Sequence, residues 1–153
     1  MSKKLAGKKA VIAGGGRGIG LAIARRFLSA GAEVLLAART VSDLESARRE
    51  LSPLGRVEIM STDVSLEADA DRLAGRVLDL WGGADILVNA AAVSGPIGPL
   101  TEVDPCEWRK AIDVNLVGTF LMIRAVAPFM KQNRCGKIIN FVGGGEGAYV
   151  NFT

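Results

Sequence analysis

Directly after the apolar run Lys9 to Ala13, and just before a helical pattern, stands Gly14-Gly15-Gly16-Arg17-Gly18-Ile19-Gly20. A pyrophosphate needs a tight turn, close backbone approach and the positive end of a helix, and glycines at 14, 18 and 20 give steric room for each. Gly16, Arg17 and Ile19 complete the predicted phosphate cradle. The spacing is Gly-x-x-x-Gly-x-Gly, which differs from the common Gly-x-Gly-x-x-Gly fingerprint and lacks the Lys-Ser/Thr ending of a Walker loop. At the end of the second apolar run, where an acidic residue would hold a ribose 2′-hydroxyl, the chain carries Ala37-Ala38-Arg39-Thr40. Arg39 and Arg17 could converge there on a 2′-phosphate, which a guanidinium binds with charge-assisted hydrogen bonds and a carboxylate repels. Either arginine alone is compatible with a solvated surface position. Together they predict NADP(H) as cofactor in preference to NAD(H).

In this glycine spacing the chain resembles the short-chain dehydrogenase/reductase family, whose motif is Thr-Gly-x-x-x-Gly-x-Gly; only the leading Thr, here Ala13, departs. The resemblance runs on through Asp63-Val64, similar to an Asp-Val pair whose carboxylate receives the adenine amino group, although a plain turn aspartate is the alternative. Leu87-Val88-Asn89-Ala90-Ala91-Ala92 resembles the family's Asn-Asn-Ala-Gly segment, with Asn89 kept and two positions changed to Ala. Asn89 is expected to steady the central sheet near the adenosine, either structurally or as a ligand contact. Asp113-Val114-Asn115-Leu116-Val117-Gly118-Thr119 resembles the segment carrying the family's catalytic asparagine, which makes Asn115 the catalytic candidate. An amide that donates and accepts suits a water in a proton relay; a buried Asn serving local backbone is the alternative.

In such relatives a tyrosine, assisted by a lysine, supplies the proton while the nicotinamide supplies a hydride, and a serine orients the carbonyl. Gly136-Lys137-Ile138-Ile139-Asn140 matches the strand before that serine, but Val142 and Gly143 occupy the expected hydroxyl positions. Glu146 and Thr153 are polar neighbours with no sign of taking over. The only tyrosine, Tyr149, has Thr153 rather than Lys four residues later. The expectation is an N-terminal part of such a protein, residues 1–153 forming one NADP(H)-binding Rossmann domain that lacks the C-terminal catalytic and substrate segment.

These motifs need elements to hold them. Strand-length apolar runs at Lys9 to Ala13, Glu33 to Ala38, Arg56 to Met60, Asp85 to Asn89 and Lys137 to Val142 alternate with helical patterns. That alternation is the βαβ signature of a parallel sheet. The fold expected is α/β, a Rossmann-like doubly wound parallel sheet of order 3-2-1-4-5, ending after its fifth strand. Helices are predicted from Ile19 to Ala30, with Ile23, Phe27 and Ala30 inward; from Thr40 or Ser42 until Pro53, with Val41, Leu44, Ala47 and Leu51 inward; around Leu66, Leu73, Val77 and Leu80 until Gly82-Gly83; and from Asp104 to about Lys131. Asp104 caps the last, with Pro105 at the first helical position and Glu107 three residues on. This helix carries two apolar stripes, Ile112/Leu116/Phe120/Ile123/Ala127/Met130 and Val114/Val117/Leu121/Ala125, so a second partner is implied, either other parts of the chain or another subunit.

Composition sets outer limits. With 49% apolar and 23% charged residues in 153, the chain can bury about 70% of its unfolded surface as one globular domain. A net charge of +3 without basic runs or aromatic platforms argues against nucleic acid. No histidine is present, which excludes His-based catalysis and His-metal sites. The basic start lacks a signal-peptide apolar region, apolar stretches break before about 18 residues, one at Arg124, and no transmembrane helix is expected. Cys106 and Cys135 lack metal spacing and are expected to be free thiols of a cytoplasmic protein. The function expected is NADP(H)-dependent reduction of a ketone or 3-oxoacyl carbonyl to an alcohol, in a full-length form that is a homo-oligomer. The alternatives are a non-catalytic nucleotide-binding or interaction protein on the same fold, and an NAD-linked alcohol or polyol dehydrogenase.

Overall fold

The computed structural model of the chain describes residues 3–142, so Gly143, Glu146, Tyr149 and Thr153 lie outside the described residues. Five parallel strands form one sheet: β1 (Lys9–Ala13), β2 (Glu33–Ala38), β3 (Val57–Ser61), β4 (Ile86–Asn89) and β5 (Lys137–Asn140). Their order is β3-β2-β1-β4-β5, as the sequence implies. The last three strands begin or end one or two residues from the predicted bounds, the usual scatter of strand ends.

The sheet is covered on both faces because its residues alternate. Ala10 and Ile12 of β1, Val34 and Leu36 of β2 and Ile86 and Val88 of β4 point to one side. There they meet Ala24 and Leu28 of α1 (Gly18–Ser29) and Leu44, Ala47 and Leu51 of α2 (Val41–Leu51). Val11, Leu35 and Leu87 point to the other side, against Leu73 and Val77 of α3 (Glu67–Trp81) and against Met122 and Val126 of a long helix. Strands buried on two faces must be apolar throughout, which is why they read as continuous runs.

Two helix faces differ from expectation. On α1 the fully buried residues are Gly20, Ala24 and Leu28, while Ile23 and Phe27 are half-buried flanks. The small residues let the helix lie close to the sheet, and the large ones wrap its sides. On α2, Val41 is exposed, because it opens the helix before the axis reaches the core.

The fourth helical region is one continuous run in three parts: α4 (Pro105–Ile112), a π-helical turn (Asp113–Val117) and α5 (Gly118–Gln132). Asp104 caps it, accepting a hydrogen bond from the Cys106 amide at 2.8 Å. At 28 residues this run is long and apolar enough to cross a membrane by length and composition, so Arg124 does not interrupt it as the sequence reading supposed. Its buried residues, Val114, Gly118, Leu121, Met122, Val126 and Met130, face the sheet and α3, which accounts for one apolar side. Neither predicted stripe is buried whole: Ile112, Leu116 and Phe120 of the first stay exposed while its Met130 is buried, and Val117 of the second is exposed. All of β5 is exposed as well.

Candidate active site: a glycine cradle between two helix starts

At the C-terminal ends of β1, β2 and β4 the connecting loops enclose an open cleft of about 250 Å³. This is the place where open α/β sheets bind ligands, since neighbouring crossovers diverge there. Gly14, Gly16, Arg17, Gly18 and Ile19 form one wall, Arg39 and Thr40 another, and Asp63, Val64, Ala90 and Ala91 the floor and far side. Eleven of the fourteen predicted site residues therefore converge in one cleft. Gly20, Asn89 and Asn115 are not among its lining residues.

Gly14 has φ +79°, and a Cβ on it would lie 2.5 Å from the Ala91 amide nitrogen, so the loop from β4 can cross only over a glycine. Gly20 is needed one layer back: a Cβ there would lie 2.2 Å from the Gly14 carbonyl oxygen. Gly20 thus shapes the loop without lining it. On the cleft side the loop is open, since nothing lies within 4 Å of the position a Gly18 Cβ would take. The side chain of Arg17, the residue that caps α1, makes no capping hydrogen bond, and neither does Thr40 at the start of α2. Two helix N-termini therefore open on the same cleft with amides uncovered by their own caps. Helix starts carry partial positive charge and favour anions.

Charged side chains complete the far end. Arg39 lies 4.0 Å from Asp63 Oδ2. The other oxygen of Asp63 accepts hydrogen bonds from the Ser65 amide at 3.0 Å and the Ser65 hydroxyl at 2.6 Å. Partial burial pushes the Asp63 pKa up, but the two Ser65 hydrogen bonds and the nearby Arg39 outweigh it and hold the carboxyl below its usual range. Asp63 is therefore ionised at neutral pH, with Oδ2 turned to the guanidinium.

Asn89 is buried between β4 and β5, where its Nδ2 donates to Asn140 Oδ1 at 2.8 Å and its own Oδ1 has no partner among the described residues. The Nδ2 bond ties β4 to β5, and Oδ1 is left over as an acceptor. Asn115 lies in the π-helical turn, and both ends of its amide engage one residue of the loop after β4: Oδ1 accepts from the Val93 amide and Nδ2 donates to the Val93 carbonyl, each at 2.9 Å. The residue is exposed rather than buried, and its amide braces the cleft wall while keeping one N–H and one acceptor lone pair beyond those two bonds. Val142, at a position where a serine was expected, is 92% exposed.

Sequence reasoning missed Ala38, Asp43, Thr62, Ala92, Val93 and Val114 in the lining. Thr62 and Asp43 stand beside predicted residues and could have been found from the acidic residue in the first turn of α2 and from the polar pair before Val64. Val93 and Val114 carry no polar signal and enter only because tertiary packing brings the β4 loop to the π-helical turn.

The short chain dehydrogenase family model matches residues 8–149, spanning both the cradle and the Asn115 segment. This chain belongs to the short-chain dehydrogenase family. Among curated relatives, the 3beta-hydroxysteroid dehydrogenase 2 of Eggerthella lenta is 37% identical over 138 residues, covering 89% of this chain and 53% of that protein. The chain thus spans about half the length of the curated relatives it matches. A metagenomic short-chain oxidoreductase solved in complex with NADP superposes with a TM-score of 0.89 at 39% identity, covering 97% of this chain and 68% of that one. An NAD+-bound xylitol dehydrogenase superposes with a TM-score of 0.87 at 26% identity, covering 90% of this chain and 53% of that one.

Proposed function

We propose that the protein is an NADP(H)-dependent oxidoreductase that reduces a ketone or 3-oxoacyl carbonyl to an alcohol, with the cleft described above as its nucleotide site. The observation that carries this reading is the convergence of two helix N-termini, each without a side-chain cap, with Arg17 and Arg39 on one glycine-lined cleft. The open backbone at Gly18 fits a pyrophosphate, and Arg39 with Thr40 fits a 2′-phosphate. Asp63 would accept from the adenine amino group through Oδ2, the oxygen that Ser65 leaves open. When bound, the dinucleotide supplies the hydride. With its amide on Val93, Asn115 is assigned a positioning part, holding the wall beside the cleft.

Similarity to a structure solved with NADP supports the choice of cofactor, and the 3beta-hydroxysteroid dehydrogenase supports carbonyl and alcohol chemistry. Titration of the intact protein with NADPH and NADH, followed by ketone-dependent loss of NADPH absorbance across a panel of ketones, 3-oxoacyl thioesters and polyols, tests it. Tighter NADPH binding and turnover of a carbonyl panel member are expected. Tighter NADH binding with polyol oxidation would replace it with the polyol dehydrogenase reading, and binding without any turnover would favour a nucleotide-binding protein. A specific observation keeps the last in view: Val142 offers no hydroxyl where one is expected. We further propose a cytoplasmic homo-oligomer, on the exposed thiols of Cys106 and Cys135 and the exposed apolar face of α5.

A further inference from the structure

Beside Arg17 and Arg39 the cleft lining holds two carboxylates, Asp43 and Asp63. Asp63 is partly balanced, since among the described residues it is the acid that pairs with Arg39. Asp43 stands differently. It lies in the first turn of α2, three residues past Thr40 and four past Arg39, and it lines the cleft. Its Cβ approaches the glycine loop so closely that a Cβ on Gly16 would lie 3.2 Å from it. Asp43 is therefore seated by its Cβ against the loop residue next to Arg17, on the helix start that follows Arg39, in a cleft whose lining includes both arginines. It is half-buried, so water screens it less than a free surface charge.

We propose that Asp43 is a specificity-determining residue that opposes a 2′-phosphate and keeps the site from a strong preference for NADP(H) over NAD(H). The inference rests on the cleft being the nucleotide site with its ribose end at Arg39. A helix start favours an acidic side chain through the helix dipole, and the same partial charge favours a ligand phosphate. Asp43 competes for that position. Its charge repels a dianionic 2′-phosphate, whereas a 2′-hydroxyl carries no charge to repel.

The test is a fluorescence titration of the intact protein with NADPH and with NADH for the wild type and for Asp43→Asn, Asp43→Glu and Arg39→Ala. Removing one screened like charge should tighten NADPH binding about threefold in Asp43→Asn, with NADH unchanged. Asp43→Glu retains the charge and should keep the wild-type ratio, and the gain in Asp43→Asn should shrink as salt is raised. NADPH binding that is unchanged or weaker in Asp43→Asn, or a shift equal for both cofactors, overturns the role of Asp43. If Arg39→Ala still weakens NADPH selectively in that case, the NADP(H) reading survives alone. If Arg39→Ala leaves the ratio of the two cofactors untouched, the reading of the ribose end falls, and the inference with it.

Discussion

Arg39 shows what a single side chain is expected to contribute at the ribose end of the cleft. It stands where an acid would select NAD(H), so its type alone predicts the sign of the preference. The structure adds that it already faces Asp63 at 4.0 Å, which means a phosphate must share it with a carboxylate. A hydrogen bond to a charged group contributes about 1.5 to 3 kcal/mol, which would make NADPH binding roughly tenfold or more weaker in Arg39→Ala. NADH binding should barely move, and paired dissociation constants check both. Equal losses for both cofactors would show that Arg39 shapes the cleft rather than reading the phosphate. The glycines were legible from residue type, since only glycine fits beneath the Ala90-Ala91 backbone at Gly14. Asp43 was not, because an acid near a helix start also serves the helix itself, and only its approach to Gly16 reveals the second role.

Elements position these residues through a few polar ties. The π-helical turn at Asp113–Val117 turns Asn115 toward the loop after β4, and its amide satisfies both backbone groups of Val93. Because the site is exposed, water can replace these bonds, so Asn115→Ala should lower global stability by only about 1 kcal/mol. Its larger effect should be faster amide exchange across residues 90–104, read by hydrogen-exchange mass spectrometry. A rate unchanged in that loop would mean packing alone holds the wall. At the opposite end of the sheet, Glu33 begins β2 beside its register partner Lys9 and also accepts from Trp81 Nε1 at 3.0 Å and Arg56 at 3.3 Å. The Lys9 hydrogen bond, opposed by partial burial and aided by the charge of Lys9, by Trp81 and by Arg56, holds its carboxyl below the usual range. A depressed folded-state pKa stabilises the protein above the unfolded pKa and ceases to do so as pH falls through the folded value. Glu33→Gln should therefore cost about 1 kcal/mol at neutral pH, with the gap to wild type closing in acid, as denaturant melts across pH would show. Helix existence was legible from apolar spacing, but helix rotation was not. The α1 pattern of Ile23 and Phe27 is as periodic as Gly20, Ala24 and Leu28, and only the close approach to the sheet decides between them.

For the molecule as a whole, the alternating pattern implied a parallel sheet, but its strand order came with the family resemblance, because right-handed crossovers are compatible with more than one doubly wound order. What the pattern did not resolve was which of the two stripes on the fourth helical region faces inward. The structure follows neither stripe throughout: it buries Val114 and Leu121 of one and Met130 of the other, and leaves Leu116 65% and Phe120 59% exposed. Apolar side chains grouped on one helix face mark a surface that something covers. If a second copy of the protein covers it, Phe120→Glu places a charge in each copy of that interface, and a charge without a partner in a dry contact costs several kcal/mol. The variant should then elute from size exclusion with light scattering at a lower mass than wild type, with an unchanged circular dichroism spectrum. If other parts of the same polypeptide cover it instead, the mass should stay constant while the melting temperature falls. The two outcomes separate association from intramolecular packing, because only association depends on protein concentration. Dilution of the wild type supplies the same distinction without mutation: a homo-oligomer held by this face should dissociate as concentration falls, and a face packed within one polypeptide should not respond.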